Sequence, residues 1–106
     1  MRRAAKRDLS EGVIVDTLRA CGWSVGFWSG PNYPDLVVGR HGRTYLVEVK
    51  TGSRKLQPGQ ADWHRDWRGG PVVVLRNVED ALRFTAHPDG ETEKAQTLKT
   101  SSLAKK

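Results

Sequence analysis

The chain has one cysteine in 106 residues, so no intramolecular disulfide can hold it together. Its three histidines, His41, His64 and His87, are too scattered to supply zinc-ligand spacing. Cys21 is read most simply as a small buried hydrophobe. Long apolar runs are missing too: the longest, Val72 to Leu75, is far short of a bilayer span. Met1-Arg2-Arg3 starts as a signal peptide would, but Asp8, Glu11 and Asp16 interrupt the apolar segment that would have to follow. An intracellular protein, cytoplasmic or nucleoid-associated, with no membrane partner is therefore expected. There is no G-x-x-x-x-G-K-[ST] stretch and no G-x-S-x-G elbow, which removes the usual signatures of P-loop nucleotide hydrolysis and serine acyl transfer. A chain this short cannot divide into two useful cores, which leaves one domain.

What the chain does have is positive charge. Eighteen Lys and Arg stand against twelve Asp and Glu, a net +6, with a pI near 9.9, and this balance favours a polyanionic partner such as nucleic acid. Half of the excess sits in residues 1–8, where Arg2, Arg3, Lys6 and Arg7 against Asp8 give +3. We expect a flexible basic arm there, with those four residues on phosphates. Residues 85–106 carry almost nothing apolar and read as a polar tail, disordered or loosely helical. The compact domain is then residues 9–84, with a net charge of only +2.

Within that domain, Asp8 is placed to cap a helix running through Leu9, Val13, Ile14 and Leu18 and stopped by Gly22. Ser24 to Trp28, Leu36 to Arg40 and Arg43 to Lys50 read as strands, the last two joined across His41-Gly42 as a hairpin. Pro58 suits the first position of a helix carrying Gln60, Ala61, Trp63, His64 and Trp67 and ended by Gly69-Gly70. Pro71 to Leu75 is a buried strand by its β-branched run, and Val78 to Phe84 a last helix starting near Asn77. The order is αβββαβα.

The hairpin is the informative stretch. If His41-Gly42 is a two-residue turn, Arg40 faces Arg43 and all paired positions share one sum, which sets Asp35 directly opposite Glu48, their Cβ atoms roughly 4.5–5.5 Å apart. Lys50, two residues on, shares that face. A three-residue turn would put the acids on opposite faces. Two facing carboxylates repel, and the apolar residues around them indicate a sheet covered on both sides, where charge is costly. A divalent cation removes the repulsion, and carboxylate oxygens completed by water suit Mg²⁺. The plainer alternative is a Glu48–Lys50 surface pair on an edge strand, with Asp35 as a turn residue after proline.

Pro34-Asp35 followed by Glu48-Val49-Lys50 resembles the signature of the PD-(D/E)xK nuclease superfamily. The preceding helix with Glu11, the following Gln60 helix and the Val72–Leu75 strand stand in the order of that superfamily's core, so the resemblance covers about residues 9–84. Within it the chain is similar to the compact VRR-NUC and archaeal Holliday-junction resolvase branches, except that Asn32-Tyr33 precedes Pro34 where the VRR-NUC pattern usually has a glycine. The resemblance implies a restriction-endonuclease-like αβββαβ core, an α/β fold whose mixed central sheet is flanked by helices. It implies further that Asp35, Glu48 and the Val49 carbonyl bind Mg²⁺, with Mn²⁺ substituting, that Lys50 positions or polarises the attacking water, and that Glu11 and Gln60 complete the catalytic site. A homodimer on branched or duplex DNA is also implied.

Several of these residues have a second reading. On a helical wheel Glu11 falls between Leu18 and Val15, away from the most polar arc, but it could equally be an N3 residue capping from Asp8. Gln60 is likewise an N3 residue after Pro58. Trp63 and Trp67, four apart, read first as packing, as do Trp23 and Trp28, whereas Tyr33 is placed to touch a sugar or base. Arg54 and Lys55 could grip phosphates at the rim of the site or simply be solvated. His64 is expected to face solvent. Three functions follow: a Mg²⁺-dependent DNA endonuclease, a non-catalytic DNA-binding module on the same fold, and a basic nucleic-acid chaperone that works through its arms.

Overall fold

The computed structural model describes residues 9–50 and 56–95, with side chains from Glu11 onward. The Asp8 cap, the arm residues Arg2, Arg3, Lys6 and Arg7, the loop residues Arg54 and Lys55, and the tail beyond residue 95 lie outside the described residues. Among those described are three helices and one four-stranded sheet: α1 (Leu9–Ala20), β1 (Ser24–Phe27), β2 (Leu36–Arg40), β3 (Arg43–Val49), α2 (Pro58–Asp66), β4 (Val73–Leu75) and α3 (Val78–Ala86).

Three of the expected start and stop signals act as read, while α2 ends at Asp66 with Trp67 as its C-cap rather than at Gly69-Gly70. Helix α1 ends because Gly22 takes φ 95°, which lets Trp23 N–H reach the Leu18 carbonyl and Gly22 N–H the Arg19 carbonyl, both at 3.0 Å. His41 and Gly42 both take positive φ, 53° and 76°, as the tight two-residue hairpin turn requires. Asn77 caps α3, its side chain accepting from Asp80 N–H at 2.8 Å.

The sheet is mixed, in the order β1-β2-β3-β4. The first three strands are antiparallel, and β4 lies parallel to β3 after the crossover through α2. Alternation then sorts the side chains. One face carries Leu36, Val38, Val47, Val73 and Leu75, buried under α1 and α3 against Ile14, Leu18, Trp23 and Phe84. The opposite face carries Leu46, Val72 and Val74 under α2, with Leu56, Trp63, Trp67 and Ala95.

Three expectations are corrected. Residues 85–95 are no loose tail: α3 continues to Ala86, and the chain returns so that Glu93 C=O accepts from Val74 N–H and Ala95 N–H donates to Val72 C=O, both at 2.8 Å. Arg76 grips Glu93 through two nitrogens, at 2.8 and 3.1 Å. The reason is backbone rather than side-chain chemistry, because the outer edge of β4 needs partners and this segment supplies them. His64 is buried, not solvent-facing. It stands one turn after Gln60, so both point from α2 toward the sheet. Cys21 is only half-buried at the end of α1, against the core rather than in it.

Candidate active site

The β2–β3 register is the one the two-residue turn demands, running from Arg40↔Arg43 to Leu36↔Val47. One step further it sets Asp35 opposite Glu48, on the face covered by α2. The ladder stops there for a chemical reason. The next residue on β2 is Pro34, which has no N–H to offer the Val49 carbonyl opposite, and the Val49 N–H turns instead to Asp35 Oδ2 at 2.8 Å. The regular pairing thus ends before Pro34, and the Val49 N–H is satisfied by the Asp35 side chain instead of by a strand carbonyl.

Glu48 lies on the inner strand β3, flanked by β2 and β4, and is 1% exposed. That geometry is incompatible with a surface pair on an edge strand. Its Oε2 accepts from Gln60 Nε2 at 2.8 Å and lies 3.5 Å from Lys50 Nζ. Its Oε1 is buried with no hydrogen-bond partner. Burial, and after it the negative charge of Asp35, pushes the Glu48 carboxyl up from 4.5 to about 7, against the opposing pull of Lys50 and Gln60.

Gln60 joins the group from α2, and its two readings turn out to be compatible. Its Oε1 accepts from Gln57 N–H at 3.0 Å, closing the first turn of the helix, and also from Lys50 Nζ at 2.9 Å. With Oε1 facing two donors, Nε2 is the atom left to donate to Glu48. Lys50 is itself nearly buried, at 9% exposure. A helix start, a strand end and a carboxylate are therefore tied together by one glutamine.

Asp35, Glu48, Lys50 and Gln60 are brought together. Glu11 is buried on α1 at 6% exposure, and among the described residues no group of three His, Cys, Asp or Glu side chains that could hold a metal ion is found. The pair and the Val49 carbonyl can nevertheless accommodate a hard cation. Glu48 Oε1 is a buried oxygen lacking a donor, its partner acid faces it, and the carbonyl facing Pro34 receives no N–H from it. Cations prefer oxygens in this condition, and their charge would reverse the rise in the Glu48 pKa.

Tyr33, expected near the substrate, is 38% exposed just before Pro34. Its ring belongs to a group that pairwise spacing along the sequence did not reveal. Trp28 and Tyr33 lie 4.9 Å apart, Tyr33 and Trp63 5.8 Å, and Trp63 stacks on Trp67 at 4.9 Å. The available signal was that three of the four tryptophans fall in the segments flanking the acid pair. Comparison of the chain with protein-family models, with curated proteins and with solved structures gives no match in any of the three.

Proposed function

We propose that the protein is a Mg²⁺-dependent endonuclease that hydrolyses phosphodiester bonds in DNA, on a restriction-endonuclease-like αβββαβ core related to the VRR-NUC and junction-resolvase nucleases. The observation that carries this reading is the placement of Glu48: an acid in the middle of a sheet, facing a second acid, with one oxygen left without a donor. A structural role does not explain why two carboxylates share a covered face, whereas a cation-binding role does. Asp35, Glu48 and the Val49 carbonyl would hold Mg²⁺, and Mn²⁺ would substitute. The bound ion supplies Lewis-acid polarisation of water and neutralises charge building on the phosphate.

The chain's own residues supply the rest. Lys50, kept beside Glu48 by Gln60, offers a cationic donor that can orient a water or a phosphate oxygen. Gln60 is a positioning residue, since two of its three side-chain hydrogen bonds go to other members of the site and the third closes its own helix turn. The basic arm of Arg2, Arg3, Lys6 and Arg7, with Arg54 and Lys55, would hold flanking phosphates without reading sequence. Because cutting both strands of a duplex or junction requires two sites, the working unit would be a homodimer.

The test is digestion of a panel of branched, single-stranded and linear DNAs in Mg²⁺ and in EDTA. Cleavage in Mg²⁺ alone, lost in Glu48→Gln, is the expected result. Binding without cleavage of any member would favour a DNA-binding module on the same fold.

A further inference from the structure

The aromatic residues on the acidic face have no explanation in core packing alone. Trp63 and Trp67 cover Val72 and Val74, but Trp28 and Tyr33 belong to neither buried cluster. All four rings are only half-buried or exposed, and each touches the next in a continuous row, with Trp28 also edge-on to Trp63 at 6.3 Å. The row adjoins the candidate site at two points. Trp28 N–H donates to the Asp35 carbonyl at 3.0 Å, and Trp63 follows Gln60 by one helical turn.

The rings are also held in place. Gly30, at φ 151°, lets the Tyr33 ring lie where a Cβ would stand 2.7 Å from it, and Tyr33 N–H reaches back to Gly30 C=O at 3.4 Å. Gly69 yields the same kind of space to Trp67, whose Nε1 donates to Gly70 C=O at 2.9 Å. Partly exposed aromatics that are fixed in this way present preformed π-faces at low entropic cost. Trp28 and Trp67 also line an open groove of about 630 Å³ with Thr44, Leu46 and the Arg43–Asp89 ion pair. Arg68, exposed beside Trp67, has no ion-pair partner among the described residues.

From this arrangement we infer that the Trp28–Tyr33–Trp63–Trp67 row is a stacking site for an unpaired nucleobase adjacent to the scissile phosphate. The inference rests on the nucleic-acid reading of the acid pair and narrows its substrate. In an intact duplex the base faces are already covered by their neighbours, so only a base freed from pairing can lie on a side-chain ring. The favoured substrate is therefore DNA with an unpaired nucleotide at the cut: a flap, an overhang or an opened branch point. The chain's excess positive charge attracts the phosphates, and the rings add a contact that charge alone cannot supply.

Binding by the full chain in EDTA isolates this contact from cleavage. A short labelled oligothymidylate is compared with an abasic oligomer of equal length and charge, following both label anisotropy and tryptophan emission. The oligothymidylate is expected to bind about 10-fold more tightly and to quench the tryptophans. Tyr33→Leu and Trp28→Leu should each bring it toward the abasic affinity, while Tyr33→Phe, which keeps the ring, should retain the preference. Equal affinity of the wild type for the two oligomers overturns the inference, and needs no variant to fold. So does an undiminished preference in Leu variants that melt like the wild type, or a Trp28→Leu change that splits a dimer and leaves base preference intact, which would make the row an interface between copies. Cleavage is scored separately in Mg²⁺. Base-selective binding with no cleavage of any DNA overturns the endonuclease and spares the stacking site, whereas cleavage with no base preference does the reverse.

Discussion

The two faces of the sheet are built on opposite terms. Under α1 and α3 lie Ile14, Leu18, Trp23, Leu36, Val47 and Phe84 in one apolar cluster, and among the described residues the only buried acid on these two helices is Glu11 of α1. Polar groups at its margin are mostly paired: Trp23 Nε1 donates to Thr85 Oγ1 at 2.9 Å, and the Arg40 guanidinium, over the Trp23 ring at 4.9 Å, donates to the Cys21 and Thr85 carbonyls at 3.0 Å each, its Nε alone lacking a partner. Under α2 the apolar cluster is small, and it shares the face with buried Glu48, Lys50 and His64 and with half-buried Gln60. The first face stabilises the fold by burial. The second places charges where they cost stability, a pattern characteristic of sites kept for chemistry.

Substitutions on the charged face should have the largest effect. Asp35→Asn or Glu48→Gln should cost about 10⁴-fold in Mg²⁺-dependent cleavage, ~5.5 kcal/mol of barrier, while far-ultraviolet circular dichroism shows an unchanged fold. On the apolar side, Phe84→Ala removes a fully buried ring stacked on Trp23 and should cost about 3–5 kcal/mol of stability by denaturant titration.

A smaller effect separates the faces by pH. Since the folded protein raises the Glu48 carboxyl from 4.5 to about 7, its contribution to stability is fully present below pH 4.5 and is lost as pH rises through 7. At about 1.4 kcal/mol per pH unit this amounts to ~3 kcal/mol in metal-free protein. Glu48→Gln should remove that part of the pH dependence and be the more stable form above neutrality. If Glu48 were a structural partner of Lys50, the same substitution would instead destabilise the fold at neutral pH. Deleting residues 1–8 should have the mildest consequence: cleavage chemistry persists, and the slope of log affinity against log salt falls by up to about 4.

The acid pair was legible in the sequence because a two-residue turn fixes a register, and register decides which side chains share a face; His41-Gly42 carried that information. The wheel set Glu11 between Leu18 and Val15, off the most polar arc, which is consistent with its burial but left its role open. Other features depend on contacts distant in sequence. His64 shares its inward direction with Gln60, but the phase of α2 is clear only once the sheet face beneath it is known, and the adjacent tryptophans draw the eye elsewhere. The docking of Glu93 to Ala95 on β4 is a backbone interaction, and no side-chain pattern announces it. The aromatic row likewise combines a strand end, a loop and a helix, and only the folded chain makes them neighbours.

The most direct measurement is the melting temperature of the wild type and the Asp35→Asn, Glu48→Gln and Lys50→Ala variants, each with and without Mg²⁺ in the absence of DNA. A ligand that binds only the folded state raises it, so Mg²⁺ at well above its Kd should raise the wild type and Lys50→Ala by about 5 °C or more and leave both carboxylate variants unmoved. Equal shifts in all four proteins, or none in the wild type, would contradict a metal site at Asp35 and Glu48.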